Sequence, residues 1–177
     1  SFMVMRESTR WRWSHTRHHS DTIIVGRDPE IAVMRPVKIF RFLLKFIGVL
    51  SVINYFKQVA MHCLGKLYPD EASFIPESEW PKLFFKARMV ALVYLVVIGS
   101  CVYSGMILPL MFIGLPQLYG SWLMPIYTAT QHAGLEENVL DHRKNCRTVL
   151  MNPINRFLYW NMNYHVEHHM FPLVPYY

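Results

Sequence analysis

The sequence predicts an all-α integral membrane protein: a helical domain with one transmembrane hairpin, an interfacial amphipathic helix and cytosolic helices carrying histidine clusters. Three observations lead there. Residues 89–135 contain no Asp, Glu, Lys or Arg, basic residues stand on both sides of that stretch, and six of the nine histidines fall into two copies of one pattern. The composition agrees. Of 177 residues, 53% are hydrophobic and only 17% are charged, whereas an ordinary soluble domain carries roughly 25% charged residues. Disordered, collagen-like and disulfide-rich secreted classes are excluded on that balance.

The elements follow in order. Residues 1–12 contain Arg6, Arg10 and Arg12 and no apolar core, so they do not read as a signal peptide. The chain opens without Met and is read as a fragment. Residues 36–64 place Lys38, Arg41 and Lys45 at helical spacing in an apolar background, with Lys57 further on. Such a basic amphipathic helix suits a membrane interface. Residues 68–81 carry Pro69, Pro76 and Pro81 among acidic residues and read as a loop.

The charge-free stretch has room for two spans of about 20 residues each. The expected arms are 85–106 and 107–127, with Gly105, Pro109, Gly114 and Pro116 marking breaks. Lys82, Lys86 and Arg88 precede the hairpin, and Arg143, Lys144 and Arg147 follow it. Positive charge on both flanks and none in the connection predicts that both ends of 85–127 face the cytosol. Residues 128–177 then form a cytosolic part. Trp11, Trp13, Trp80, Trp122 and Trp160 mostly flank apolar segments, as an interfacial belt would.

A net charge of +6 does not indicate a nucleic-acid partner, because the basic residues are dispersed and match no such motif. Cys63, Cys101 and Cys146 are odd in number and form no CxxC pair, so reduced thiols are expected.

The repeated pattern carries the chemistry. His15, His18 and His19 form one HxxHH copy, and His165, His168 and His169 form the other. Positions i, i+3 and i+4 share one helix face, so each copy aims three imidazoles in one direction, where they can grip metal. Six imidazoles exceed what one zinc ion needs. A two-metal site of nitrogen ligands suits iron, copper or zinc, and the residues alone do not separate these. His62 has no patterned partner and is expected to be structural. His142 reads more readily as a surface histidine than as a ligand, and Glu167 is placed to orient an imidazole through its second nitrogen.

These segments also carry a resemblance. WRWSHTRHHSDT, the charge-free stretch, QHAGL and NMNYHVEHHMFP together resemble the integral-membrane fatty acid desaturase and hydroxylase superfamily. The two HxxHH copies are similar to its second and third histidine boxes, and QHAGL is similar to its extra-histidine segment. The resemblance implies a metal set of His15, His18, His19, His132, His165, His168 and His169. It implies two non-haem iron ions, dioxygen as co-substrate, and a lipid or acyl chain as substrate. It also implies a membrane location with the metal site on the cytosolic face. No flavin or nicotinamide fingerprint is present, so electrons are expected from a ferredoxin, rubredoxin or cytochrome b5 type partner.

The MFP tail at 170–172 favours a desaturase, while QHAGL keeps an alkane or lipid hydroxylase, or a related monooxygenase, as the alternative. A membrane metal transporter is the alternative of another class; it would place its ligands inside the spans. The family's first box, HxxxH or HxxxxH, has no counterpart here. Residues 1–177 are therefore expected to be a single desaturase-like catalytic domain, incomplete at both ends.

Overall fold

The computed structural model describes residues 5–31 and 35–174, so the last residues of the expected cytosolic part lie outside it. The described residues are helical, with one isolated antiparallel bridge between Thr148 and Tyr164. They divide into two compact units: Ser1–Ser14 with Leu43–Trp122, and His15–Phe42 with Leu123–Tyr177.

The first unit is built on α3 (Val49–Cys63) and α4 (Trp80–Ser104). Tyr55 and Val59 of α3 bury against Tyr94 of α4, with Met5, Val90, Ala91 and Ile113 around them. A second apolar cluster joins Phe74, Ile75 and Leu83, covered by Trp13, Leu67, Trp80 and Phe84. Helix α1 (Ser8–Ser20) starts here, where the Glu7 carboxylate accepts the N–H groups of Thr9 and Arg10 at 2.9 and 2.6 Å. That supplies acceptors to two of the orphan donors at a helix start.

Helix α4 is the one continuous helix among the described residues long and apolar enough to cross a membrane. The apolar segment runs Glu77–Ser104, and only 17% of its most apolar window is buried. A core helix of a soluble protein would be mostly buried. At 1.5 Å per residue a 25-residue helix reaches about 37 Å, beyond the ~30 Å hydrocarbon core of a bilayer. Pro81 sits in its first turn, where a missing N–H costs nothing. Gly105 ends it at φ 66°, a left-handed cap that favours glycine.

Two expectations need correction. The second arm, 107–127, is not one helix. It breaks into α5 (Leu108–Phe112), α6 (Pro116–Tyr119), a 3-10 turn at Ser121–Leu123 and the start of α7 (Met124–His132). Pro109, Pro116 and Pro125 each sit in a first turn. Each proline therefore starts a short helix instead of kinking a long one. The expected helix at 36–64 is also two helices, α2 (Ile39–Ile47) and α3, bent by 78°. Gly48 makes the joint at φ 70°, and a Cβ there would meet the Gln117 carbonyl oxygen at 2.8 Å. The bent pair is long and apolar enough to cross a membrane only when taken as one broken span. Helix α2 buries none of its residues and exposes Ile39, Phe40, Leu43 and Ile47.

His62 is structural in a stronger sense than its isolation in sequence implies. It is fully buried, and its Nε2 lies 2.7 Å from Glu71. Glu71 also takes the Arg10 Nε–H at 2.6 Å and the Tyr68 N–H at 2.8 Å. Burial alone would raise the Glu71 carboxyl, but His62, the Tyr68 N–H and Arg10 hold it below its ordinary value. Removing one partner of a buried pair leaves the others uncompensated, at about 3 kcal/mol or more. Glu71→Ala should therefore lower the thermal midpoint in detergent far more than Glu71→Gln. Equal midpoints for the two variants would contradict this account.

The second unit holds the rest of α1, the loop 21–31, α7, α8 (His142–Asn145), α9 (Pro153–Leu158) and α10 (His165–Met170). Asp141 and Asn152 cap α8 and α9 by accepting N–H groups of Arg143 and Asn155. The centre of this unit is polar: Thr22, Asn145, Asn163, His165 and His169 are all buried. Asn145 ties two loops together by donating to the carbonyls of Thr22 and Val139 at 3.1 and 2.8 Å.

Candidate metal centre

Each HxxHH copy lies on a helix, as its spacing demands: His15, His18 and His19 on the last turns of α1, and His165, His168 and His169 on the six-residue α10. His132 is the last residue of α7. The second unit brings all seven together, and they sort into two groups. His18, His132, His165 and His169 form one; His15, His19 and His168 form the other. Within each group the candidate ligand atoms lie within 4.8 Å of one another.

The nitrogens that face each other are Nε2. His165 and His132 approach to 2.8 Å, and His169 and His165 to 3.1 Å. In the other group His19 lies 3.0 Å from His168 and 3.2 Å from His15. At five of the seven the opposite nitrogen, Nδ1, is held from outside. His18 donates to Asp28 at 2.9 Å, His15 to Glu30 at 3.0 Å, and His132 to the Asn145 carbonyl at 2.8 Å. The Nδ1 of His165 meets the Gln131 side chain at 3.1 Å, and that of His169 meets Thr22 Oγ1 at 3.1 Å. Carboxylates and carbonyls only accept. His15, His18 and His132 therefore carry their protons on Nδ1 and turn bare Nε2 lone pairs inward.

Burial keeps five of the imidazoles neutral. Desolvation, then the neighbouring His15 and His168, push His19 down to about 3. Desolvation is also the main cause for His132 and His168, each lowered to about 4, and it drives His165 and His169 lower still with help from adjacent imidazoles. Neutral imidazoles whose Nε2 atoms approach this closely either pass a proton from one ring to the next or offer their lone pairs to a cation, and only a cation can use all of them at once. The donor set is thus a fit for two metal ions held by nitrogen.

The whole chain, residues 1–177, matches the family model for fatty acid desaturases. The chain belongs to the fatty acid desaturase family. Neither a curated protein nor a solved structure matches it. Fatty acid desaturases are membrane-associated and typically oxidoreductases, which agrees with the helix α4 and with a histidine cluster able to hold metal.

In this family member the remaining candidates fall out differently. His142 is not merely a surface residue: with Cys146 and His169 it makes a third close group, its ring centroid 5.2 Å from that of His169. Burial and the Asp28 carboxylate push the Cys146 thiol up to about 12, so this group lacks a ready thiolate. Glu167 does not orient an imidazole; it accepts from the Thr148 hydroxyl beside the Thr148–Tyr164 bridge. Sequence reasoning missed Thr22, Asp28, Glu30, Gln131 and Asn145, which support the histidines. The two carboxylates carried a signal: they fall within one short turn just after the first HxxHH, in a chain with only 12 acidic residues.

The lowered imidazoles set a pH dependence. In the unfolded chain a histidine titrates near 6.5, whereas folded His132 and His168 hold out to about 4. Below about pH 6.5 the unfolded chain binds protons that the folded one refuses, so stability is full above that pH and drains away towards pH 4. Chelator-treated protein should melt at progressively lower temperature from pH 7 to pH 5. A flat profile across that window would count against the buried neutral cluster.

Proposed function

We propose that the chain is the catalytic part of a membrane-bound, di-iron, dioxygen-dependent fatty acyl desaturase. The observation that supports it most directly is the convergence of seven imidazoles in groups of four and three, five of them backed from Nδ1. On this reading His18, His132, His165 and His169 hold one iron, and His15, His19 and His168 hold the other. Iron bound there would supply the dioxygen chemistry that removes hydrogen from an unactivated C–H bond. The protein's own tasks are to keep the imidazoles neutral, fix their tautomers, orient the acyl chain and exclude water. The two compact units are read as parts of one catalytic domain, with a lipid or acyl-thioester substrate.

The membrane part of the reading keeps α4 as a span and puts both ends of 85–127, with the metal site, on the cytosolic side. The basic flanks support it, and the short helices α5 and α6 would return the chain without a second continuous span. Helix α2 would lie at the interface. A ferredoxin, rubredoxin or cytochrome b5 type protein would bring the electrons. A metal transporter gains no support, because His15, His18, His19, His132, His165, His168 and His169 all lie on α1, α7 and α10 and none on α4.

One observation favours a second reading. His132 of QHAGL takes a place in the group of four, and its motif is close to the EHYGL-like form of alkane hydroxylases. Mass spectrometry of the product separates the two: loss of two hydrogens marks a desaturase, and gain of one oxygen marks a hydroxylase. His18→Ala and His169→Ala should each reduce turnover at least a hundredfold and lower bound iron. Near-normal activity with iron retained in either variant would sink the assignment. For topology, a cysteine placed near Gly105 should be labelled from outside intact cells and one near Asn138 should not. The reverse pattern would overturn the orientation.

A further inference from the structure

We infer that the turn Asp28-Pro29-Glu30 is a paired positioning device that gives each of the two metal groups one carboxylate, through one histidine apiece. The inference rests on the two-metal reading above. Asp28 reaches His18, a member of the group of four, and Glu30 reaches His15, a member of the group of three. The Asp28 side chain is fully buried, while that of Glu30 is 24% exposed.

The two carboxylates do not act alone. Asp28 Oδ2 accepts from both His18 Nδ1 and the N–H of Ile23, at 2.9 and 2.8 Å. Its other oxygen accepts the N–H of Glu30 at 2.8 Å. That second bond closes an Asx turn, and the turn delivers Glu30 to His15. Ile23, a β-branched residue, sits at φ 54°, a strained conformation that needs outside support. Asp28 supplies some of that support at the Ile23 N–H.

Only a carboxylate satisfies all three donors at once. An Asn at 28 has a single acceptor oxygen. Facing His18 and Ile23, it would set its NH2 against the N–H of Glu30 and open the turn. Flipped, it would set the NH2 against His18 and Ile23 and favour the wrong His18 tautomer. Two divalent ions among neutral imidazoles also bring a large positive charge into a buried site, and Asp28 and Glu30 place one negative charge behind each group. Loss of such outer partners typically weakens metal binding by about 10–100-fold.

The test is a Co2+ titration of the full chain in detergent, read by visible d–d absorption and metal analysis, with melting followed in parallel. Wild type should take two equivalents. Glu30→Ala should weaken one equivalent by about 10–100-fold and leave the other unchanged. Glu30→Gln, whose amide oxygen can still accept from His15, should recover most of the loss. Glu30→Ala should add nothing to His15→Ala but should add to His18→Ala, since only the first pair shares an interaction. Asp28→Asn should weaken at least one equivalent; should it fail to fold, the Glu30 series still decides.

Two Co2+ bound by Glu30→Ala as tightly as by wild type would overturn the inference while leaving the two-metal reading intact. So would a further tenfold loss of Glu30→Ala on top of His15→Ala. A wild-type chain that binds no Co2+ would overturn both.

Discussion

Everything in the second unit answers to one electrostatic constraint: imidazole lone pairs aimed at one another inside a buried space. The Nε2 atoms of His132 and His165 stand 2.8 Å apart, and those of His19 and His168 3.0 Å. Such a contact is a repulsion wherever both rings carry their proton on Nδ1; His165, whose Nδ1 takes the Gln131 amide, instead turns an Nε2 proton towards His132. The fold accepts this arrangement because Asp28, Glu30 and the Asn145 carbonyl fix the outer nitrogens. The hydrogen-bond network around the histidines is thus the counterpart of the charge the site is shaped to receive.

The supporting groups come from separated stretches of chain. Helix α1 offers one face, the loop after it brings Thr22, Asp28 and Glu30, α7 ends on His132, and the chain beyond α8 returns to place α10. Asn145 joins two of these stretches twice, by its side chain to Thr22 and Val139 and by its carbonyl to His132. Its complete burial is therefore no accident of packing. A buried amide with its partners matched is stable. The same amide without Thr22 or Val139 would be a liability.

Local periodicity was legible in the sequence, and distant pairing was not. The HxxHH spacing places three imidazoles on one face whatever the rest of the chain does, so α1 and α10 could be read directly. His132 was reachable only through its motif. Asp28 and Glu30 have no periodicity and acquire meaning only when the loop folds back on α1. The same limit hid the Glu71–His62 pair, whose members belong to different elements. Absence of charge in 107–127 was a true signal of apolarity but said nothing of continuity. There the prolines decided, because a proline at a first turn starts a helix as readily as one in the interior kinks it. Gly48 broke the 36–64 helix for a reason invisible in the sequence, the close approach of the Gln117 backbone.

The cluster links metal loading to the fold itself. Without a cation, the second unit buries imidazoles that meet one another through their inner Nε2 atoms, and His19 keeps a buried Nδ1 with no hydrogen-bond partner among the described residues. Each such group costs about 1–3 kcal/mol when desolvated and unmatched. A metal ion among the Nε2 atoms would engage several residues together, which no single hydrogen bond can do. The apolar core here is small, since Ile23, Tyr127, Cys146 and Tyr159 are the buried hydrophobic residues described in this unit. A unit with so little apolar burial and so many buried nitrogens stands to gain stability from coordination, as small metallo-domains do. Metal bound at these nitrogens would then stabilise the fold as well, because it would tie together the chain segments that present His15, His18, His19, His132, His165, His168 and His169.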